Sequence, residues 1–296
     1  VSAPDTTTGR HERGMSAGDL AVLSVGFELT GLIDGQAPIG LLAEPLDDAG
    51  TEEIVARLQE ALRSARRVAL LHPDWMSKDG LRRLETARAA LDTHRIALVP
   101  TDLPPLAGGV LAALAGALLP YADQPGRLLG ALPLASSELV VISWLRTVSS
   151  LRRPSPSMAQ HARSLVAGRG FVVGLQPEEF VHRVDPKRPE LPIARVERTM
   201  ELVVADHGGD IDLMTDVVNP ALGRLRLGQV DGSSRAEEWW GTRRLVEAVA
   251  YPTEMASLAE RTAATVVLHA CGWCGVGSPF DACPFCGHMV TSARGA

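Results

Sequence analysis

Short apolar runs alternate with amphipathic stretches along the first half of the chain. Leu20–Leu29 (LAVLSVGFEL) is predicted as a strand, with a turn at Asp34-Gly35 after it. From Thr51 the period changes. Ile54, Leu58, Ala61 and Leu62 share one face of a helix, Glu52 and Glu53 suit its positive end, and Arg63, Arg66 and Arg67 suit its negative end. Val68–Leu71 is then a short buried strand broken at His72-Pro73. Ser77 caps a second helix with an apolar stripe of Leu81, Leu84, Ala87 and Leu91. Ile96–Val99 is the next buried strand, Leu106–Leu119 a third helix, and Leu139–Ile142 a further strand. This alternation predicts an α/β fold over residues 18–150, a mainly parallel sheet flanked by helices.

The second half is less regular. Arg152–Pro156 reads as a connector, Ser157–Val166 as a helix, Gly170–Leu175 as a strand and Pro177–Val184 as a short helix. Asp185–Pro192, with three prolines, is a loop. Strands are predicted at Val196–Ala205 and Leu222–Val230, helices at Ala236–Ala250 and Thr253–Ala264, and a last strand at Thr265–His269. Residues 151–268 either continue the first sheet or build a second lobe. Residues 1–17 are polar, lack the apolar core of a secretory signal, and are expected to be a disordered tail. Leu103–Ala122 is uncharged and nearly long enough to span a bilayer, but Pro104, Pro105 and Pro120 lie near its ends and small residues fill it. A buried helix is expected, not a membrane span.

Charge narrows the choice of partner. The chain of 296 residues carries a net charge of −6 and no long basic run, so a nucleic-acid partner is not expected. All four cysteines fall in two C-x-x-C pairs, which suits a cytoplasmic protein with reduced thiols.

Those cysteines are the strongest chemical signal. Cys271-Gly-Trp-Cys274-Gly and Cys283-Pro-Phe-Cys286-Gly bring two sulfurs each to one point, with Gly275 and Gly287 suited to backbone conformations other residues resist. Four thiolates form the tetrahedral set Zn²⁺ prefers and leave no open position for water, so one structural zinc ion is expected. Iron in the same ligands, a redox-active pair or disulfides are the alternatives. Residues 271–287 resemble the zinc-ribbon, or rubredoxin-like knuckle, modules; the resemblance implies a small metal-stabilised domain at 269–296 and says little of function. His269 and His288 flank the cage and are read as bystanders or outer hydrogen-bond donors. Between the outer cysteines there is no Lys or Arg, only Asp281, while Trp273, Phe280 and Phe285 are present. Apolar aromatics without positive charge point to a protein contact, self or other, or to packing on the parent domain.

Other candidates are weaker. Ligands of parallel α/β sheets bind beyond the C-terminal strand ends, where His72, Asp74, Asp102 and Ser143 stand as candidate acid/base or polar groups. Gly108 and Gly109 begin a helix whose amides are able to hold an anion. The acidic run Asp206, Asp210, Asp212, Asp216 reads as a solvated turn. Trp239 and Trp240 are adjacent and cannot share one helix face, so one is read as core and the other as packing. No P-loop, dinucleotide fingerprint, nucleophile elbow or zincin motif occurs. The leading expectation is therefore a non-catalytic scaffold, regulatory or protein-interaction component. The alternative is an enzyme or small-molecule sensor with its pocket at the strand ends.

Overall fold

The computed structural model describes residues 19–27, 41–42, 50–91, 94–164, 168–185 and 190–290. The tail expected at 1–17 and the turn at Asp34-Gly35 lie outside them.

The first sheet is parallel, as the alternation predicts. It is built from β1 (Leu20–Val25), β2 (Leu41–Leu42), β3 (Arg67–Pro73) and β4 (Ile96–Thr101) in the order β2-β1-β3-β4. Between them run α1 (Thr51–Ser64) and α2 (Lys78–Ala90), the latter capped by the Ser77 hydroxyl accepting from the Gly80 amide at 3.0 Å. Strand residues alternate between two buried faces. Ala21, Leu23, Val68 and Leu70 pack with Ile54, Leu58 and Leu84 of α1 and α2. Leu20, Val22, Ala69 and Leu71 face α3 (Pro105–Leu118).

Helix α3 lies between the first sheet and a second, contacting β1 on one side and β10 on the other. That position explains its composition: only small and aliphatic residues fit a helix buried all round. Gly108 is needed because a Cβ there would stand 2.1 Å from the Phe27 ring. Among the described residues no helix is long and apolar enough to cross a membrane.

Beyond α4 (Pro125–Ser137) the architecture departs from expectation. β5 (Val140–Leu145), predicted as the next strand of the parallel sheet, instead opens a second sheet. Its other members follow α5 (Met158–Ser164): β6 (Phe171–Gln176), β7 (Phe180–Arg183), β8 (Met200–Asp206), β9 (Arg226–Val230) and β10 (Leu245–Pro252). The order is β7-β6-β5-β10-β8-β9, antiparallel throughout except for β8–β9. Pro177–Val184, predicted as a short helix, contains the edge strand β7. The helix predicted over Ala236–Ala250 is instead short α8 (Ala236–Trp240), ended by Gly241 at φ +68°, followed by β10. An apolar run that short has no period to tell helix from central strand. The outer face of this sheet is covered by α6 (Ile211–Leu213), a π turn at Met214–Val218 and α7 (Asn219–Leu222). Helix α9 (Met255–Thr265) packs on α4, and the tail ends in the hairpin β11 (His269–Ala270) and β12 (Gly277–Ser278), so the strand predicted over Thr265–His269 is only its last residue.

Candidate functional site

An apolar cavity of about 670 Å³ opens at the C-terminal ends of β3 and β4, where it meets α3, α4 and the cysteine hairpin. Leu71, Leu98, Leu111, Leu129 and Leu132 form much of its wall, and Asp74, Thr101 and Asp102 supply polar groups. Local bonds hold these strand ends in place. The Asp74 amide donates to the Thr101 carbonyl at 2.9 Å and the Trp75 indole to the Leu103 carbonyl at 3.0 Å. Arg153 bridges Asp102 at 2.5 Å and Glu179 at 2.7 Å. Asp74 has a carboxyl raised above its ordinary range, first by partial desolvation and then by the charge of Asp102. Among the described residues, no Lys, Arg or His lines this cavity. A second opening of about 460 Å³, between α4, β5 and residues 192–200, is smaller and exposes proportionally more polar surface.

The sequence candidates are divided by the fold. Asp74 and Asp102 share the cavity. His72 is buried and, by strand alternation, points with Leu70 towards α2; desolvation lowers its pKa, and its Nδ1 lies 3.0 Å from the Pro73 carbonyl. Ser143 belongs to the second sheet, where its hydroxyl is buried and donates to the Val246 carbonyl at 2.9 Å. These four residues therefore do not converge on one point. The acidic run is used by local turns: the Asp206 carboxylate accepts from the Gly209 amide, and Asp210 caps α6 and pairs with Arg169. Gly108, read as part of an anion site, is occupied by the approach of Phe27.

A polar and aromatic seam between the sheets was not expected. Arg235 is almost buried, with its guanidinium 4.5 Å from the Trp75 ring centroid. Trp75 meets Trp239 at 5.3 Å, and Trp239 meets the fully buried Trp240 at 6.5 Å. The Trp240 indole donates to the carboxylate of Glu247 at 3.0 Å, which also accepts from the Leu106 amide at the start of α3 at 3.4 Å. His207 stands 3.6 Å from the other carboxylate oxygen. A carboxylate at a helix N-terminus is favourably placed. The signal was present in the sequence: Glu247 is the one charge in the apolar run Leu245–Tyr251.

The four cysteines do come together. Their sulfurs lie within 4.8 Å of one another, close enough to bind a metal. Cys271 and Cys286 are 3.5 Å apart and Cys274 and Cys283 3.6 Å, near the edge of about 3.8 Å for a tetrahedron with zinc–sulfur bonds of about 2.3 Å. Each pair sits on a turn closed by a glycine amide, Gly275 to the Cys271 carbonyl and Gly287 to the Cys283 carbonyl, with φ of +70° and +72°. The amide of Cys274 holds the Cys271 thiol down to about 6, while burial pushes Cys274 up to about 12. A bound cation reverses the second effect, because coordinating thiols are deprotonated.

The aromatics of this hairpin take three different roles. Phe285 is fully buried, its carbonyl accepting from Arg88 at 2.6 Å and its ring 5.8 Å from the Arg67 guanidinium. Phe280 lines the cavity with Pro284. Trp273 is 73% exposed, with the ring of His288 6.2 Å away.

No protein-family model matches the sequence, and no curated protein sequence matches it. Solved structures are similar in fold. A fatty-acid-binding DegV family protein from Thermus thermophilus superposes with a TM-score of 0.56 at 15% identity, over 79% of this chain and 99% of that one. A DegV family protein from Corynebacterium glutamicum gives 0.52 at 12% identity, over 80% and 98%. A fatty-acid-binding DegV family protein from Streptococcus agalactiae gives 0.51 at 9% identity, over 79% and 99%. The expectation of a docking scaffold with a protein partner is overturned here: the shared fold is that of proteins named for a small lipid ligand, and the strand-end alternative fits better. The likeness is one of fold, an α/β architecture with a parallel sheet flanked by helices.

Proposed function

We propose that this protein binds a long-chain acyl ligand in the cavity at the ends of β3 and β4, and that one structural zinc ion on Cys271, Cys274, Cys283 and Cys286 holds the C-terminal hairpin. The observation that carries the ligand reading is the apolar cavity of about 670 Å³ at the strand ends, a volume within the range of small-molecule sites. The fatty-acid ligands named for structures of the same fold agree with it. Each buried methylene contributes about 0.8 kcal/mol, so about ten supply roughly 8 kcal/mol before the cost of association. The chain of the ligand thus provides the affinity, and the polar rim sets orientation. Zinc adds no reaction of its own, since four thiolates complete its shell. The reduced cysteines that hold it suit the cytoplasm.

The test is titration of delipidated protein with cis-parinaric acid, a fluorescent long-chain probe, alongside native mass spectrometry. Saturable one-to-one binding, displaced by unlabelled hexadecanoic acid and weakened at least tenfold by the cavity-filling change Leu132→Trp, is expected. Binding that Leu132→Trp leaves untouched, or no binding, sinks the reading. The same spectra count zinc: one ion per chain, lost in Cys271→Ser/Cys274→Ser, is expected, and a metal-free wild-type protein refutes the zinc site.

A further inference from the structure

We infer that the cysteine hairpin completes the ligand cavity, so that Phe280 and Pro284 touch the bound alkyl chain and are held there by the metal. This rests on the cavity reading above and adds a second set of ligand contacts that no strand end supplies.

Three observations support it. First, Phe280 lies between the two C-x-x-C pairs and Pro284 inside the second, and both line the same cavity as Leu111, Leu129 and Leu132. Phe280 remains 41% exposed, so an apolar chain in the cavity gains by covering it. Second, the position of Phe280 is inherited from the cage. The buried Ser278 hydroxyl donates to the Phe280 carbonyl and accepts from the Phe280 amide, both at 3.1 Å. Ser278 stands on β12, paired with His269 of β11, and β11 leads directly into Cys271. Third, little besides the cage holds the hairpin to itself. It has a two-rung ladder at β11–β12, an antiparallel bridge between Ala282 and Met289 and two glycine-closed turns of its own, too little buried surface to fold unaided, so a cross-link through four sulfurs adds what these local bonds do not. Its apolar residues Cys271, Val276, Cys283, Phe285 and Val290 are instead part of the main core around α3. Losing the metal therefore loosens a wall shared by core and cavity.

The experiment compares cis-parinaric acid affinity in zinc-loaded wild-type protein, in the same full-length protein after chelation, and in zinc-loaded Phe280→Ala. Zinc content is checked by native mass spectrometry. The expected result is a Kd raised at least tenfold by chelation and about fivefold by Phe280→Ala with zinc retained. If chelation unfolds the whole chain, Phe280→Ala decides alone. A Kd for zinc-loaded Phe280→Ala equal to that of wild type overturns the inference, as does unchanged affinity in folded, metal-free protein. Failure of zinc-loaded wild type to bind the probe is a separate outcome: it removes the cavity reading, and this inference with it.

Discussion

Replacing Gly126 by alanine sets helix propensity against packing. In an open helix the change stabilises by up to about 1 kcal/mol. Gly126, however, lies in the first turn of α4 under the hairpin, where an added Cβ would stand 1.8 Å from the Gly277 carbonyl oxygen and 2.7 Å from its carbon. Carbon and oxygen settle at about 3.3 Å or more, so the two segments must part by about 1.5 Å. The obstructing atoms are backbone, and no side-chain rotation relieves them. Moving them pulls on the Phe285 carbonyl held by Arg88 and on Pro279, which already lies against Gly130. Overpacking of this kind costs about 1–3 kcal/mol, so a net loss of about 1–2 kcal/mol is expected. Urea unfolding of the zinc-loaded protein should show a lower midpoint with an unchanged slope. Gly228→Ala, on β9 with nothing within 4 Å of the new methyl, is the control and should be neutral or mildly stabilising. A Gly126→Ala protein as stable as wild type would falsify the contact between α4 and the hairpin.

Other outcomes follow from the same geometry. Glu247→Ala strips the Trp240 indole and the first turn of α3 of their acceptor and should lower the urea midpoint by the equivalent of about 1–3 kcal/mol; an unchanged midpoint speaks against a carboxylate that ties β10 to α3 and α8. Burial opposes ionisation of Glu138, but Arg261 and Arg198 outweigh it and depress its pKa. Its contribution is thus complete above the unfolded carboxylate value and lost as pH falls through the lower folded one. Arg261→Met should reduce the acid-side loss of stability, read as melting temperature between about pH 5 and 2. Asp74, raised by desolvation and by Asp102, neutralises early on acidification. A carboxylate ligand should therefore bind more tightly as pH falls through the raised Asp74 value, and Asp74→Asn should flatten that dependence; titration calorimetry reads both.

The sequence by itself determined the elements whose cause is local. The parallel β1, β3 and β4 with α1 and α2 were legible because strands buried on both faces are continuously apolar and helices carry a stripe, and Ser77 caps α2 by a bond three residues long. The cysteine cage was legible for the same reason, since each half is a turn of a few residues closed by its own glycine. The tertiary structure decided everything that depends on distant segments. Leu139–Ile142 and Leu245–Tyr251 are both short apolar runs, and only pairing with each other and with β6 and β8 makes them the centre of an antiparallel sheet. His72 and Asp74 are two residues apart, yet strand alternation and the bend after Pro73 leave only Asp74 in the cavity. Phe280 and Phe285 have the same composition signal; one faces the cavity and the other the core because α2 and α4 grip the hairpin from outside its sequence. A pocket made where two strand ends, two helices and a hairpin meet has no local pattern, because its walls are assembled from segments whose spacing along the chain carries no record of their contact.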